Sequence, residues 1–188
     1  MRLASFRHFS RLFHPWATVF AMSRKFSFTV QYSVPVEDLH RALTNDEMWQ
    51  ARFEGASTAT LELTHPDGPG TIQIHMTEKA PEDQIPGIVQ KVLKSELMLE
   101  RTDSWGPLSD GVAKGGCSGR SGGITTEMAG AFELRPTAEG SEIEATGTVD
   151  VKVPLVGGAI EPLVENLLKK VMNSERKSVE SWFAAQNA

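Results

Sequence analysis

A single cysteine, Cys117, occurs among the 188 residues, so no disulfide can form within the chain. The same scarcity excludes a metal site built from several cysteines. A lone cysteine is typical of a reducing compartment, and we expect a cytoplasmic location. Hydrophobic residues make up 40% of the sequence and charged residues 23%, a balance that indicates a folded protein and excludes wholesale disorder.

Metal-binding and cofactor-binding motifs are missing as well. No histidine pair has the H-x-x-x-H or H-E-x-x-H spacing, and no carboxylate-rich calcium loop occurs. We therefore predict no metal and no cofactor. The chain also lacks an apolar run of about 18 residues, the length that a membrane-spanning helix needs, so we expect no transmembrane segment.

Acidic residues are absent from the start of the chain, where none precedes Glu37. The first 22 residues are basic and resemble a transit peptide in composition, although a true start at Met22 is the simpler interpretation. We predict that residues 1–23 are a disordered leader or a mis-assigned extension, and that residues 24–186 form one domain. From Phe26 onward the chain holds all 24 acids against 14 of the 19 basic residues, so nucleic acid is not an expected partner.

Alternation of apolar and polar residues predicts a series of strands. The alternating segments are residues 25–34, 59–63, 72–76, 95–105, 125–136 and 142–153. The turn sequence PDGPG joins the second and third segments into a hairpin, because proline and glycine suit the turn backbone. Strands with one apolar face and one polar, solvent-facing side are typical of an antiparallel sheet.

Helical periodicity appears in two places. Two short helices are predicted directly after the first strand, and the second of them carries Met48, Trp49 and Phe53. From Ala159 to about Gln186, apolar residues recur at the i, i+3, i+4, i+7 spacing of one long amphipathic helix. The predicted fold class is therefore α+β: a curved antiparallel sheet that grips one long C-terminal helix.

The glycine-rich segment GGCSGRSGGI, residues 115–124, contains a literal G-x-S-x-G match around Ser121. The motif would present a nucleophilic serine if a strand preceded it and a helix followed. All five histidines precede Ser121, and the residues after it alternate like a strand. We therefore interpret the segment as a mobile connection or a frayed strand without a nucleophile.

Other polar residues give no better catalytic candidate. His75 alternates with the apolar residues of its strand and should face solvent, and His40 lies on a short helix that we expect to be peripheral. Glu161 and Glu165 are interpreted as a solvated face at the start of the long helix. We assign no catalytic residue.

The order of elements, and the segments VPVEDLHRALTNDEMW and VDVKVPLVGGAIEPLVENLL, resemble the helix-grip superfamily. This superfamily includes START lipid-transfer domains, birch-pollen-allergen-like proteins and polyketide cyclases. The second segment is most similar to a bacterial family of unknown function within it. The resemblance covers residues 24–186 and implies a cavity for an apolar small molecule between sheet and helix.

The residues expected to line that cavity come from the inner sheet face and the apolar stripe of the long helix. They are Ile74, Met76, Leu97, Leu99, Arg101, Met128, Phe132, Val149, Leu163, Leu167 and Val171. Arg101 shares its strand face with Leu97 and Leu99 and is the candidate polar group. We expect a module that binds a hydrophobic small molecule or lipid. A cyclase/aromatase-type enzyme and a filled-core interaction domain stay open as alternatives, and the sequence does not indicate an oligomeric state.

Overall fold

The structure is a computed structural model, and it describes residues 23–186. The leader predicted for residues 1–23 therefore lies almost wholly outside the described residues. The elements in chain order are β1 (Arg24–Tyr32), α1 (Val36–Leu43), α2 (Asp46–Phe53), β2 (Ala59–Thr64), β3 (Ile72–Lys79), a short 3-10 helix (Glu82–Gln84), α3 (Gly87–Gln90), β4 (Met98–Trp105), β5 (Ala113–Ser121), β6 (Thr126–Thr137), β7 (Gly140–Val151) and α4 (Gly157–Gln186).

The seven strands form one antiparallel sheet in the order β1-β7-β6-β5-β4-β3-β2. Strands β2 to β7 follow one another as a meander, and β1 closes the far edge by pairing with β7. Together with two short helices after β1 and the long α4, this confirms the predicted fold class. The PDGPG turn joins β2 and β3, which pair as the predicted hairpin.

The glycine-rich segment is the main departure from expectation. It is a paired strand and not a connection: its greater part belongs to β5, which pairs with β4 on one side and β6 on the other. Its glycines make room for large neighbours. A Cβ on Gly115 would lie 2.3 Å from the carbonyl oxygen of Ser104 and 3.0 Å from the Trp105 ring. The strand is glycine-rich because bulky side chains of adjacent strands fold over it.

Helices α1 and α2 cover one end of the sheet. Leu39 and Ala42 of α1 are fully buried, and Nε2 of His40 lies 2.9 Å from the carbonyl oxygen of Gly106. The expectation that α1 is peripheral was wrong, because its apolar side closes the core. Asn45 caps α2 by accepting from the amides of Glu47 and Met48.

Helix α4 begins two residues before the predicted start and contains Pro162 in its second turn, where proline cannot donate a helical hydrogen bond. Lys169 donates to Glu165 at 2.8 Å, an i,i+4 pair of favourable orientation. Glu161 is buried, so the interpretation of both glutamates as a solvated face was wrong for Glu161. Within residues 23–186, no helix is both long and apolar enough to cross a membrane.

Candidate functional site

The long helix α4 lies along β1. Glu165 forms a salt bridge with Arg24 at 2.9 Å, and the Lys169 ammonium sits 5.4 Å from the centre of the Phe28 ring. The step of four residues from Arg24 to Phe28 along β1 matches the step from Glu165 to Lys169 along α4. The helix therefore packs mainly on the β1 side of the sheet, against β1 and β7.

The inner sheet face is sealed at one end. We define the closed row as the residues that pair across the sheet from β3 to β1: Ile74, Asp103, Cys117, Gly130, Gly147 and Phe26. Ile74 is fully buried, Asp103 is 2% exposed, and Cys117 is 5% exposed. The Phe26 ring occupies the space left by two glycines, since a Cβ on Gly147 would stand 2.6 Å from its Cζ.

One step of two residues away from the closed row, on each strand, the inner face of the sheet is less completely buried. We define the open row as Met76, Arg101, Gly119 and Met128, which pair consecutively from β3 to β6. All four are only partly buried, and so is Leu99 in the next step of β4. Apolar side chains on the inner face of the sheet are thus accessible here.

The residues predicted to line the cavity differ in how deeply they are buried. Ile74, Phe132 and Val149 are buried, with Phe132 stacked on Trp105 at 5.5 Å between ring centres. The partly buried ones are Met76, Leu97, Leu99, Arg101, Met128, Leu163 and Val171. Leu167 is 42% exposed, so it lies at the margin of the helix's buried stripe.

A buried ion cluster joins β4 to α4. We define it as Arg101, Asp103, Glu175 and Arg52, and their side chains are between 3% and 15% exposed. Arg101 Nε donates to Asp103 Oδ1 at 2.8 Å, and its Nη1 donates to Glu175 Oε1 at 3.0 Å. From α2, Arg52 Nη2 lies 4.0 Å from the same Glu175 oxygen, and Arg52 Nη1 donates to Ser178 at 3.0 Å.

One atom of the cluster is incompletely satisfied. Arg101 Nη2 is buried and in ionic contact with Asp103 Oδ2, yet it forms no hydrogen bond. Most buried polar atoms in folded proteins have a hydrogen-bond partner, so such an atom calls for an explanation. The partner that this donor has is the Asp103 Oδ2 oxygen in the closed row, where solvent does not reach it.

Burial and charge set the protonation of the cluster. Burial raises the pKa of Asp103 to about 6, with a further rise from the Glu175 charge, and Arg101 opposes this only in part. Burial by itself would lower the pKa of Arg101, but the charges of Asp103 and Glu175 raise it overall, so the guanidinium stays charged. Burial and the Asp103 charge raise the pKa of Cys117 to about 12, which makes it a neutral thiol.

The sequence pattern missed most of this cluster. Arg101 was chosen because it alternates with apolar residues, and the structure places it on the inner face as expected. The same alternation predicts an inward position for Asp103, since it follows Arg101 by two residues on the same strand face. Glu175 interrupts the apolar stripe of α4 at a buried position, and an acid in such a stripe is a signal that could have been used.

Other candidates do not join this site. Ser121 donates to the carbonyl oxygen of Ile124 at 2.8 Å and so stabilises the turn after β5. His75 lies on the outer face, 3.0 Å from the Thr102 hydroxyl, beside a polar depression of about 380 Å³. Within residues 23–186, no group of three or more histidine, cysteine or acidic side chains could hold a metal ion.

Comparison with known proteins agrees with this architecture. The chain is 28% identical over 169 residues to the uncharacterized protein Rv0481c of Mycobacterium tuberculosis, covering 86% of this chain and 97% of that protein. A START superfamily protein from Mycobacterium smegmatis has a TM-score of 0.52 at 13% identity, covering 84% of this chain and 98% of that one. The Zhui aromatase/cyclase from Streptomyces sp. R1128 has the same score and identity, covering 84% and 92%.

These structural similarities, at low sequence identity, concern the fold alone, and they confirm the helix-grip architecture that the sequence resembles. A family model described as a protein of unknown function, DUF2505, matches residues 27–183, which is most of the domain. The chain therefore belongs to the DUF2505 family, and its fold is of the helix-grip type.

Proposed function

We propose that the protein binds an apolar small molecule between the open row of the sheet and helix α4. The observation that carries this proposal is the partial exposure of the apolar inner-face residues Met76, Leu99 and Met128. On the same face, the closed row is sealed by packing. Ligand sites are mostly apolar with a few polar groups, and the open row has this composition.

The helix contributes the opposite wall. Leu163, Leu167 and Val171 recur every four residues and lead to Glu175, so they lie along one side of α4. Glu175 contacts Arg101, which brings this side of the helix to the open row at that point. A ligand lodged before this contact would be held between Leu99 on the sheet and Val171 on the helix. Of the predicted lining residues, the partly buried ones belong to this site, and the buried ones support it from beneath.

The test is binding of a neutral fluorescent probe, N-phenyl-1-naphthylamine, to the wild type and two variants. Met128→Trp places a large ring in the open row and should abolish probe binding at little cost in stability. Ala129→Trp is the matched control, because Ala129 is exposed on the outer face of the same strand. Native mass spectrometry of protein purified from its own host should show a co-purifying apolar molecule.

Two results would contradict the proposal. Absence of probe binding by the wild type, together with a loss of roughly 1–3 kcal/mol in Met128→Trp, would mean that the core is filled. An interaction domain without a ligand would then be the better interpretation. Equal loss of binding in both tryptophan variants would place the probe elsewhere on the surface.

Asp103 favours a second candidate, a cyclase/aromatase-type enzyme in the same space. A buried carboxyl with a pKa of about 6 is suited to exchange protons near neutral pH. Dehydrative cyclisation forms a carbon–carbon bond and releases one water. Ligands recovered from the wild type and from Asp103→Asn should then differ in mass by one water, whereas a binding protein returns the same mass from both.

A further inference from the structure

Two glutamates lie on the side of α4 that faces the sheet. Glu161, Leu168 and Glu175 follow one another at intervals of seven residues, so they fall on one line along the helix, and all three are buried. Glu175 pairs with the guanidinium groups of Arg101 and Arg52. Glu161, at the other end of this line, forms no hydrogen bond and no ion pair within residues 23–186. The two acids therefore have the same orientation but only one has partners.

The carboxylate of Glu161 is buried but not sealed. The residue is 8% exposed. In the described part of the chain, the side-chain atoms that are both unpartnered and sealed from solvent belong to Arg101 and Asp150, so both oxygens of Glu161 keep some accessible surface. The helix dipole favours an acid in the first turns of α4, but it supplies no hydrogen bond. A carboxylate that loses most of its hydration without gaining a partner is costly.

The neighbours of Glu161 on α4 place it over one end of the inner sheet face. Four residues earlier, Gly157 packs on β7, where a Cβ would lie 2.2 Å from the carbonyl oxygen of Val151. Four residues later, Glu165 pairs with Arg24 of β1 at 2.9 Å. Residues four apart lie on the same side of a helix, so Glu161 faces the sheet between these two contacts.

The sheet beneath this part of α4 carries the continuation of the open row. Met128 pairs with Val149, and Val149 pairs with Arg24. Thr126 precedes Met128 by two residues on the same face of β6, and it is buried although its hydroxyl forms no hydrogen bond within residues 23–186. An unpaired carboxylate on the helix and an unpaired hydroxyl on the sheet thus lie at the same end of an apolar row.

The cations one turn away from Glu161 are already engaged. Glu165 accepts a hydrogen bond from Arg24 at 2.9 Å and from Lys169 at 2.8 Å. The side chains of these two cations are 46% and 38% exposed, so water screens their charges. Glu161 is therefore left without a donor and without a close counter-charge.

We propose that Glu161 binds the polar end of the ligand, and that this end is a protonated amine on an apolar body. This inference rests on the proposed function and specifies its ligand class. An ammonium group supplies both the donors and the counter-charge that the carboxylate lacks, and the Thr126 hydroxyl can accept a further N–H. A fatty acid would add a second anion beside Glu161, and a pure hydrocarbon would leave the carboxylate unpaired.

The experiment measures displacement of N-phenyl-1-naphthylamine at pH 7.5 by decylamine, 1-decanol and decanoic acid. The wild type should bind decylamine most tightly and decanoic acid least tightly. Glu161→Gln keeps the shape without the charge and should weaken decylamine binding roughly tenfold to hundredfold, the effect of one hydrogen bond to a charged group. Binding of 1-decanol should change by less than about threefold, because glutamine keeps an acceptor oxygen. Affinity for the neutral probe should not change.

The matched control is Glu139→Gln, which removes the same charge from an exposed position in the turn between β6 and β7. It measures the general attraction of a cationic ligand to an acidic protein and should leave decylamine affinity within about threefold of the wild type. Thermal unfolding is the second measurement. Glu161→Gln should retain or raise the wild-type melting temperature, because it removes an unpaired buried charge.

The outcomes separate the two proposals. If the probe binds but decylamine binds no better than 1-decanol, or weakens equally in both glutamine variants, Glu161 is not the polar contact, and the proposed function stands without it. A melting temperature several degrees lower in Glu161→Gln, or failure of this variant to fold, would mean that the carboxylate has a partner within the protein, and would overturn the inference. If the probe does not bind at all, the proposed function fails, and this inference fails with it.

Discussion

Two neighbouring rows of one sheet face behave differently although they lie only two residues apart along each strand. The closed row, from Ile74 to Phe26, is packed by large side chains against glycines, whereas the open row, from Met76 to Met128, leaves its side chains partly exposed. Their compositions are similar, since each has a glycine, a charged residue and apolar neighbours. The difference arises from what lies above them, because α1, α2 and the buried side of α4 close one end of the sheet.

This comparison assigns distinct roles to the two ends. The closed row supplies stability and holds the ion cluster in a dry environment, where charged contacts are strong and unpaired groups are costly. The open row offers partly exposed apolar surface. If the open row is the ligand site, as we propose, the closed row is the rigid part of the sheet that supports it.

The largest expected effect contrasts two methionines. Met172→Ala, at 1% exposure on α4, should lower the free energy of unfolding by about 2–5 kcal/mol, since it leaves a cavity in a sealed core. Met128→Ala, in the open row, should cost less than half as much, because solvent already reaches that side chain. Urea denaturation measures both, and equal losses would mean that the open row is packed like the closed one.

The pH dependence of stability due to Asp103 reports whether water reaches the boundary between the two rows. Its pKa is raised from 3.8 to about 6, so the folded state holds the proton more tightly than the unfolded chain does. Its contribution to stability is full below about pH 4 and is lost as the pH rises through 6, an amount of about 3 kcal/mol. The wild type should therefore lose stability relative to Asp103→Asn across this range. A difference between the two proteins that does not change with pH would mean that water reaches the cluster.

Two glycines sharpen the comparison with the same substitution in each row. Gly147→Ala, in the closed row, would place a Cβ 2.3 Å from the carbonyl oxygen of Ala129 and should cost about 1–3 kcal/mol. Gly119→Ala, in the open row, meets first the flexible end of Met128 at 3.1 Å and should be tolerated. Thermal unfolding distinguishes them, and a similar drop in melting temperature for both would remove the distinction between the rows.

The smallest expected effect concerns Ser121, which pairs with Leu99 at the end of β5. Ser121→Ala removes one turn hydrogen bond and should cost about 1 kcal/mol or less. Ligand binding should be unaffected, because the hydroxyl points to the Ile124 carbonyl and not to the open row. Covalent labelling of Ser121 by a fluorophosphonate would overturn this assignment and revive the hydrolase interpretation.

Local patterns were sufficient for much of the architecture. Strict alternation predicted β6 and β7, and the apolar repeat predicted α4 to within two residues of its start, because both depend on which face of an element is buried. The same reasoning failed to predict the glycine-rich strand β5. Its inner positions are occupied by small residues, so periodicity carries no signal there, and only its neighbours explain its composition.

The sequence by itself determined the fold class, the family and the inward position of Arg101, since each follows from residue order and period. Only the tertiary structure decided that Asp103, Glu175 and Arg52 meet Arg101, because those contacts join β4 to α4 and α2 across long separations in the chain. It also decided which inner-face residues are sealed and which stay accessible. Exposure of a side chain on a curved sheet depends on which other element covers it. A local sequence pattern does not specify that element.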